Sequence, residues 1–230
     1  LQYPHQTSWG MSTRIIGAII MTHGDNNGLV LPPAVAPIQV MVVPIAQHKE
    51  GVAETASALC ERLKKNFRAD IDLSENSPGW KFAQYEMKGV PVRIEIGPRD
   101  IEEGHCIAAV RYSGEKQTVS LENDFDTLVQ KLHALLDKDI PEGMFAKAAE
   151  NRANRTYACT TLDEINKALE KGDGFIKAMW CGDEACEDKI KEELAVTSRC
   201  IPFHDQEQIS GTCVCCGRPA HKLVYWGKAY

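Results

Sequence analysis

Paired thiols are the most chemically specific feature of this sequence. Cys181-Gly-Asp-Glu-Ala-Cys186 and Cys213-Val-Cys-Cys216-Gly217 each place cysteines within one turn of chain, the spacing that wraps a tetrahedral Zn²⁺ in thiolate sulfur. The second pair is the stronger signal, because in C-x-x-C-G the glycine lets the turn close and point backbone N–H groups at the sulfurs. Cys215 is an alternative to Cys216 as fourth ligand, since it forms a tighter C-x-C pair with Cys213. Four thiols and no open position describe a closed, structural site. Two other chemistries compete: reduced cysteines in a small core, and a redox C-x-x-C. The redox motif usually opens a helix after a strand, which Gly217-Arg218-Pro219 does not.

Two further groups of residues have the means to hold phosphates or bases. Arg14 precedes the apolar run Ile15-Ile16-Gly17-Ala18-Ile19-Ile20. A guanidinium there can grip a phosphate through a bidentate fork, and the same position is that of an ordinary helix-end arginine. Between Pro78 and Lys116, Trp80, Phe82 and Tyr85 mix with Lys81, Lys88, Arg93, Arg99 and Lys116, the side chains that read single-stranded RNA by stacking and base-edge hydrogen bonds. Six basic residues in this stretch are matched by six acidic ones. Aromatics at helical spacing equally describe a core, so spacing leaves the two open.

These groups need a scaffold, and 230 residues, 43% hydrophobic and 25% charged, supply one large domain or two small ones. The 26 Lys plus Arg against 32 Asp plus Glu leave a net charge of −6, which excludes coating of nucleic acid by bulk electrostatics; any RNA contact must be local and shaped. The longest apolar stretch, Val35 to Ala46, is interrupted by Pro37, Gln39 and Pro44 and falls short of the ~20 residues of a spanning helix, so no membrane partner is expected. Nine cysteines, an odd number crowded toward Cys181 to Cys216, fit metal ligation in a reducing compartment, which places the protein in the cytoplasm. The start Leu1-Gln2-Tyr3-Pro4-His5 has neither an initiator Met nor a signal-peptide pattern and reads as a cut.

Periodicity then divides the chain. The turn-forming tract Thr22 to Gly28 and Pro32-Pro33 put a boundary near Ala34. Beyond it the pattern predicts a buried strand over Ile38 to Val43, an amphipathic helix over Val52 to Phe67, and a strand over Ala69 to Leu73. A helix opened by Pro78 should close at Gly89. Val90, Val92, Ile94 and Ile96 alternate with polar residues, so Arg93 and Glu95 are expected on the outward face, presented rather than buried. Two strands flank the turn Ser113-Gly114-Glu115-Lys116, and Asn123 is expected to cap a helix through Asp137 whose stripe is Phe125, Leu128, Val129, Leu132 and Leu136. Past Lys138 come short charged helices, a capping box at Thr161 to Glu164, and a strand Phe175 to Trp180 leading into the first cysteine pair.

Taken together, these blocks resemble a known family. Trp9-Gly-Met-Ser-Thr-Arg14, His23-Gly-Asp25, Gly28-Leu-Val-Leu-Pro-Pro33, Pro78-Gly-Trp-Lys-Phe82, Glu86-Met-Lys-Gly-Val-Pro91, Gly97-Pro-Arg-Asp100 and Gly227-Lys-Ala-Tyr230 run in the order seen in prolyl-tRNA synthetase. The likeness is to the archaeal and eukaryotic type, with an extra C-terminal zinc domain. The resemblance implies an α/β class II synthetase anticodon-binding domain, a mixed sheet flanked by helices, followed by a small α+β zinc-binding domain. Residues 1–34 are then a remnant of the catalytic domain, 35–137 the anticodon-binding domain and 138–230 the zinc domain.

The resemblance also implies roles. Arg14 falls on the catalytic arginine of motif 3, which grips ATP; Ser12 falls on a neighbouring ATP contact, and Trp9 and Gly10 line the proline and adenylate pocket. Glu86, Arg93, Arg99, Asp100 and Lys116 fall on anticodon-reading positions. Arginine can bond guanine O6 and N7 and a carboxylate can accept from N1–H and N2–H, which suits the two adjacent guanines of a proline anticodon. Cys181, Cys186, Cys213 and Cys216 are the expected zinc ligands, and Tyr230 falls on a residue that folds back toward the catalytic domain. The complete enzyme, a homodimer, would activate proline with ATP and Mg²⁺ and transfer it to tRNA(Pro). Motifs 1 and 2 have no counterpart here, so this chain alone is expected to be inactive. Ala34 stands where the family often has arginine. A free-standing tRNA-binding module and a thiol or zinc-dependent oxidoreductase are the competing functions.

Overall fold

Two β-sheets organise the chain, and of the site residues singled out above Arg93 and Lys116 lie on their strands. The computed structural model describes residues 4, 6–121, 125–172, 174–204, 206 and 209–228. Contacts divide the chain into Leu1–Ala148 and Ala149–Tyr230. That division falls inside a helix, beyond the residue 137/138 boundary expected from composition.

In the first unit, α1 (Arg14–His23) buries none of its residues. The sheet that follows has strand order β2-β1-β3-β4-β5, from β1 (Val40–Pro44), β2 (Ala69–Ile71), β3 (Val92–Ile96), β4 (His105–Val110) and β5 (Lys116–Ser120). β1 runs parallel to β2 and β3, whereas β3–β4 and β4–β5 are antiparallel. The parallel pairs are crossed by α2 (Val52–Leu63) and α3 (Pro78–Met87), and α4 (Pro98–Glu102) joins β3 to β4. Ser77 caps α3 by accepting a hydrogen bond from the Trp80 amide, with Pro78 just inside the start. Gly89 follows it at φ +71°, the left-handed position where a Cβ would be strained.

The two faces of this sheet differ. One face, with Val40, Val42, Val92, Ile94 and Ile96, packs on the α2 stripe and on Leu128, Leu132 and Leu136. Those last three belong to one long helical stretch: α5 (Phe125–His133), a wider-wound segment Ala134–Asp139, and α6 (Ile140–Asn154). The helix expected to stop at Asp137 therefore continues, because Ile140 and Met144 extend its apolar stripe into the same core. The expected Asn123 cap lies outside the described residues.

The opposite face is not open to solvent as the alternation of β3 had implied. Arg93 and Glu95 are only 7% and 5% exposed. Their register neighbours on β1 are Met41 and Val43, which form a second core layer with Val90, Phe82 and Tyr85. Alternation marks which residues share a face, but it cannot say whether a helix covers that face; here α3 does. Lys81 on α3 is buried too, donating to the Asp72 carbonyl at 2.9 Å and to Gln47 Oε1 at 3.1 Å.

In the second unit the sheet order is β6-β7-β9-β8, built from β6 (Thr156–Cys159), β7 (Phe175–Trp180), β8 (Val196–Cys200) and β9 (Lys222–Lys228). β6 and β7 are parallel; β9 pairs antiparallel with β7 and with β8. α7 (Leu162–Glu170) and α8 (Glu184–Leu194) contribute Ile165, Ala168 and Ile190 to a core with Ile176, Val224 and Trp226. Thr161 caps α7 as its sequence predicts, accepting from the Glu164 amide, while the Glu164 carboxylate reaches one residue further back to the Thr160 amide and hydroxyl.

Candidate nucleic-acid interface and metal centre

The register that covers Arg93 also aligns it for chemistry. Arg93 lies opposite Ala109 on β4, and Ala109 opposite Lys116 on β5, so the three form one row across the α3 face of the sheet. Arg93 Nε and Nη2 donate to Glu95 Oε1 at 3.1 and 2.9 Å, and Nη1 donates to Glu86 Oε1 at 3.1 Å. Its guanidinium carbon lies 4.1 Å from the Phe82 ring centroid, a cation–π contact that fixes the plane of the fork. Lys116 Nζ donates to Glu95 Oε2 at 2.9 Å. Glu95 is thus consumed by two cations. Glu86 and Lys116 are the open groups, with side chains 37% and 54% exposed.

A small cleft opens over this row, and Glu86, Arg93, Arg111, Lys116 and Asn27 line it. It offers a fixed carboxylate oxygen, an ammonium and a carboxamide around Val90, Ala109 and Val110, the means to hold a splayed base by its edge. Arg111 forms its back wall: Nη1 and Nη2 donate to the Asp25 carboxylate at 2.8 and 2.6 Å, and Nε donates to the Glu86 carbonyl at 2.9 Å. Those bonds hold the Asp25 carboxyl at a pKa of about 2.

The structure brings together only part of the expected anticodon set. Glu86, Arg93 and Lys116 share the cleft; Arg99 and Asp100 do not line it. They sit on α4, where Asp100 Oδ2 accepts from the Gly97 amide at 2.7 Å and Oδ1 lies 3.1 Å from His105 Nε2. Arg99 is exposed. Trp9, Gly10, Ser12 and Arg14 are also exposed; Ser12 Oγ accepts from the Arg14 amide at 3.4 Å, and among the described residues these four enclose no site. Tyr230 lies outside the described residues.

The thiols converge as their spacing implies. Sulfurs of Cys181, Cys186, Cys213 and Cys216 all lie within 4.8 Å of one another. Cys181–Cys186 and Cys216–Cys181 are 3.7 and 3.8 Å apart. A Zn–S bond of ~2.3 Å in a regular tetrahedron puts sulfurs about 3.8 Å apart, so these donors fit a tetrahedral soft-metal site. Cys215 packs against the hydrophobic core, and the fourth sulfur standing beside the other three is that of Cys216.

Local backbone makes this geometry. β7 ends at Trp180, delivering Cys181; Gly182 at φ +87° turns the chain into α8, which begins under the Asp183 cap. On the other side a narrow hairpin closes through Cys213 N to Arg218 O at 2.7 Å and Gly217 N to Cys213 O at 2.9 Å, with Gly217 at φ +70°. The Asp183 amide points at the Cys181 sulfur and the Arg218 amide at Cys216. Arg218 Nε lies 3.3 Å from the Cys216 sulfur and Nη2 lies 3.9 Å from that of Cys181, while Nη2 also pairs with Asp183. That guanidinium brings the Cys216 thiol down to about 6, whereas burial pushes Cys181 and Cys186 up.

Sequence reasoning missed Asn27, Arg111 and Arg218. The Asp25 motif was visible, but its partner Arg111 lies 86 positions away and no spacing rule connects them. Arg218 sits inside the C-x-x-C-G-R-P run, where its charge beside two sulfurs was the available signal.

Comparison with known proteins bears on both regions. Residues 39–131 match the anticodon binding domain model and residues 162–230 match that of the prolyl-tRNA synthetase C-terminal domain. The whole chain is 52% identical over 230 residues to a proline–tRNA ligase of Ruminiclostridium cellulolyticum, and 55% identical over 230 residues to that of Agathobacter rectalis. It is 53% identical over 229 residues to proline–tRNA ligase 2 of Bacillus cereus. It covers 47% of each of these relatives, so the chain spans about half their length. Among the described residues no helix is long and apolar enough to cross a membrane.

Proposed function

We propose, for a chain that belongs to the prolyl-tRNA synthetase family as its C-terminal region, that the first unit selects tRNA(Pro) by its anticodon and the second is held together by a structural Zn²⁺. The observation that carries this is the convergence of Glu86, Arg93 and Lys116 on one cleft within the matched anticodon-binding domain. Glu86 presents an oxygen that accepts from guanine N1–H and N2–H; Lys116 donates to O6 or N7. Arg93, committed to Glu86 and Glu95, keeps the carboxylate aimed. Arg99 and Asp100 on α4 contact a neighbouring nucleotide.

In the complete enzyme, Arg14 neutralises phosphate charge on ATP, with Ser12 beside it and Trp9 and Gly10 at the proline and adenylate pocket. The proline carboxylate displaces pyrophosphate from Mg²⁺-bound ATP to give prolyl-adenylate, and the prolyl group then passes to the 3′ end of tRNA(Pro) with release of AMP. The working form is a cytoplasmic homodimer. Cys181, Cys186, Cys213 and Cys216 hold the zinc, a role supported by their tetrahedral sulfur spacing.

The test is binding of the purified chain, at physiological salt, to a tRNA(Pro) transcript and to one with both anticodon guanines replaced. Tighter binding to the unaltered transcript is expected. Equal binding to both would remove the anticodon-reading role from this chain.

A further inference from the structure

The turn at Asp25 to Gly28 belongs in sequence to the stretch before the anticodon-binding domain, yet Asn27 stands in the cleft with Glu86, Arg93 and Lys116. We infer that this turn is the third wall of the cleft and that Asn27 is a specificity-determining contact to a nucleobase edge, an inference that rests on the function proposed above.

Its position is fixed from two sides. Asp25 N donates to Gly28 O at 3.0 Å and Gly28 N to Asp25 O at 3.1 Å, so the turn closes on itself. Gly28 has φ +128°, and a Cβ there would stand 2.4 Å from Met87 Cα; only glycine allows the turn to lie against the end of α3. Leu29 N then donates to Met87 O at 3.0 Å, one residue past Glu86. From the other side, Arg111 grips the Asp25 carboxylate with two nitrogens and the Glu86 carbonyl with the third. Asn27 and Glu86 are therefore held in one frame.

The chemistry of Asn27 complements what the cleft already has. Its backbone amide is used, donating to Asp25 Oδ1 at 2.9 Å, but its side-chain carboxamide makes no hydrogen bond among the described residues. The free oxygen of Glu86 only accepts and Lys116 only donates; a carboxamide offers a donor and an acceptor side by side, the pattern that pairs bidentately with a base edge.

The experiment measures Kd for the unaltered chain, Asn27→Ala, Asn27→Asp and Lys116→Ala against tRNA(Pro) and transcripts with single anticodon substitutions. Asn27→Ala should weaken binding to tRNA(Pro) by roughly tenfold and abolish discrimination at one anticodon position. Asn27→Asp, of the same shape but without the donor, should weaken it at least as much. Full affinity in either variant, or equal weakening across all transcripts, overturns the assignment of Asn27 while Lys116→Ala still reports on the cleft. If the unaltered chain does not discriminate among transcripts, the anticodon-reading function fails and this inference with it.

Discussion

The cleft and the thiol cluster are built by opposite means. In the cleft, Asp25, Glu86, Arg93, Arg111 and Lys116 come from three stretches of chain spread over some ninety positions, and they meet because strand register and buried ion pairs bring them together. In the cluster, four thiols come from two short turns whose glycines and N–H groups already set the sulfur geometry. A site assembled by tertiary packing should fail through loss of fold stability when one partner is removed. A site made of local turns should fail through loss of its ion.

The largest effect should therefore come from the metal. Chelation, or Cys213→Ser, should unfold the second unit, since structural zinc in small domains contributes ~10–16 kcal/mol of apparent binding energy at neutral pH. Circular dichroism during titration with a strong chelator checks this; an unchanged spectrum after demonstrated metal loss would break the comparison. Next comes Arg93→Ala, which leaves Glu95 buried beside Lys116 alone and removes the brace on Glu86. A loss of about 3–5 kcal/mol is expected from urea unfolding, as for one partner removed from a buried pair. Were the loss under about 1 kcal/mol, the ion pairs would not be what organises the cleft.

Arg218→Ala sharpens the other side. Removing the guanidinium next to the Cys216 and Cys181 sulfurs should lower metal affinity by about 10–100-fold while leaving the metal-loaded fold intact, as partners of ligands do elsewhere. Competition with a chromophoric chelator measures it. The smallest effect is at Asp25. Its carboxyl titrates at about 2, below the ordinary 3.8, because of Arg111. The pair's contribution is therefore full above about pH 4 and disappears as pH falls through about 2. With 38% of the Asp25 side chain exposed, solvent screening limits it to about 1 kcal/mol. Urea unfolding of Asp25→Asn against the unaltered chain should show that gap at pH 6 and only a small remnant of it near pH 2.

The same contrast explains what could be seen in advance. The α2 stripe, the Ser77-Pro78 start of α3, the Thr161 cap and β7 leading into Cys181 follow from periodicity and turn chemistry, which act over a few residues. The outward placement of Arg93 and Glu95 was wrong for an equally physical reason: a period of two separates the faces of a strand without telling whether a helix lies on the second. Of the expected anticodon set, Arg93 shares one cleft with Glu86 and Lys116, whereas Arg99 and Asp100, close in sequence, stand apart from it on α4.

What the residues by themselves determined is local: two thiol turns able to hold a soft metal, a mixed α/β order of elements, and family blocks spread along the whole chain. Tertiary structure alone decided that Cys216 rather than Cys215 joins the cluster, that Arg93 is a buried brace, and that Asp25 and Arg111 meet across 86 positions to set Asn27 into the cleft. Side-chain direction and cross-strand neighbours depend on which faces the rest of the chain covers, and that is known only once the whole chain has packed.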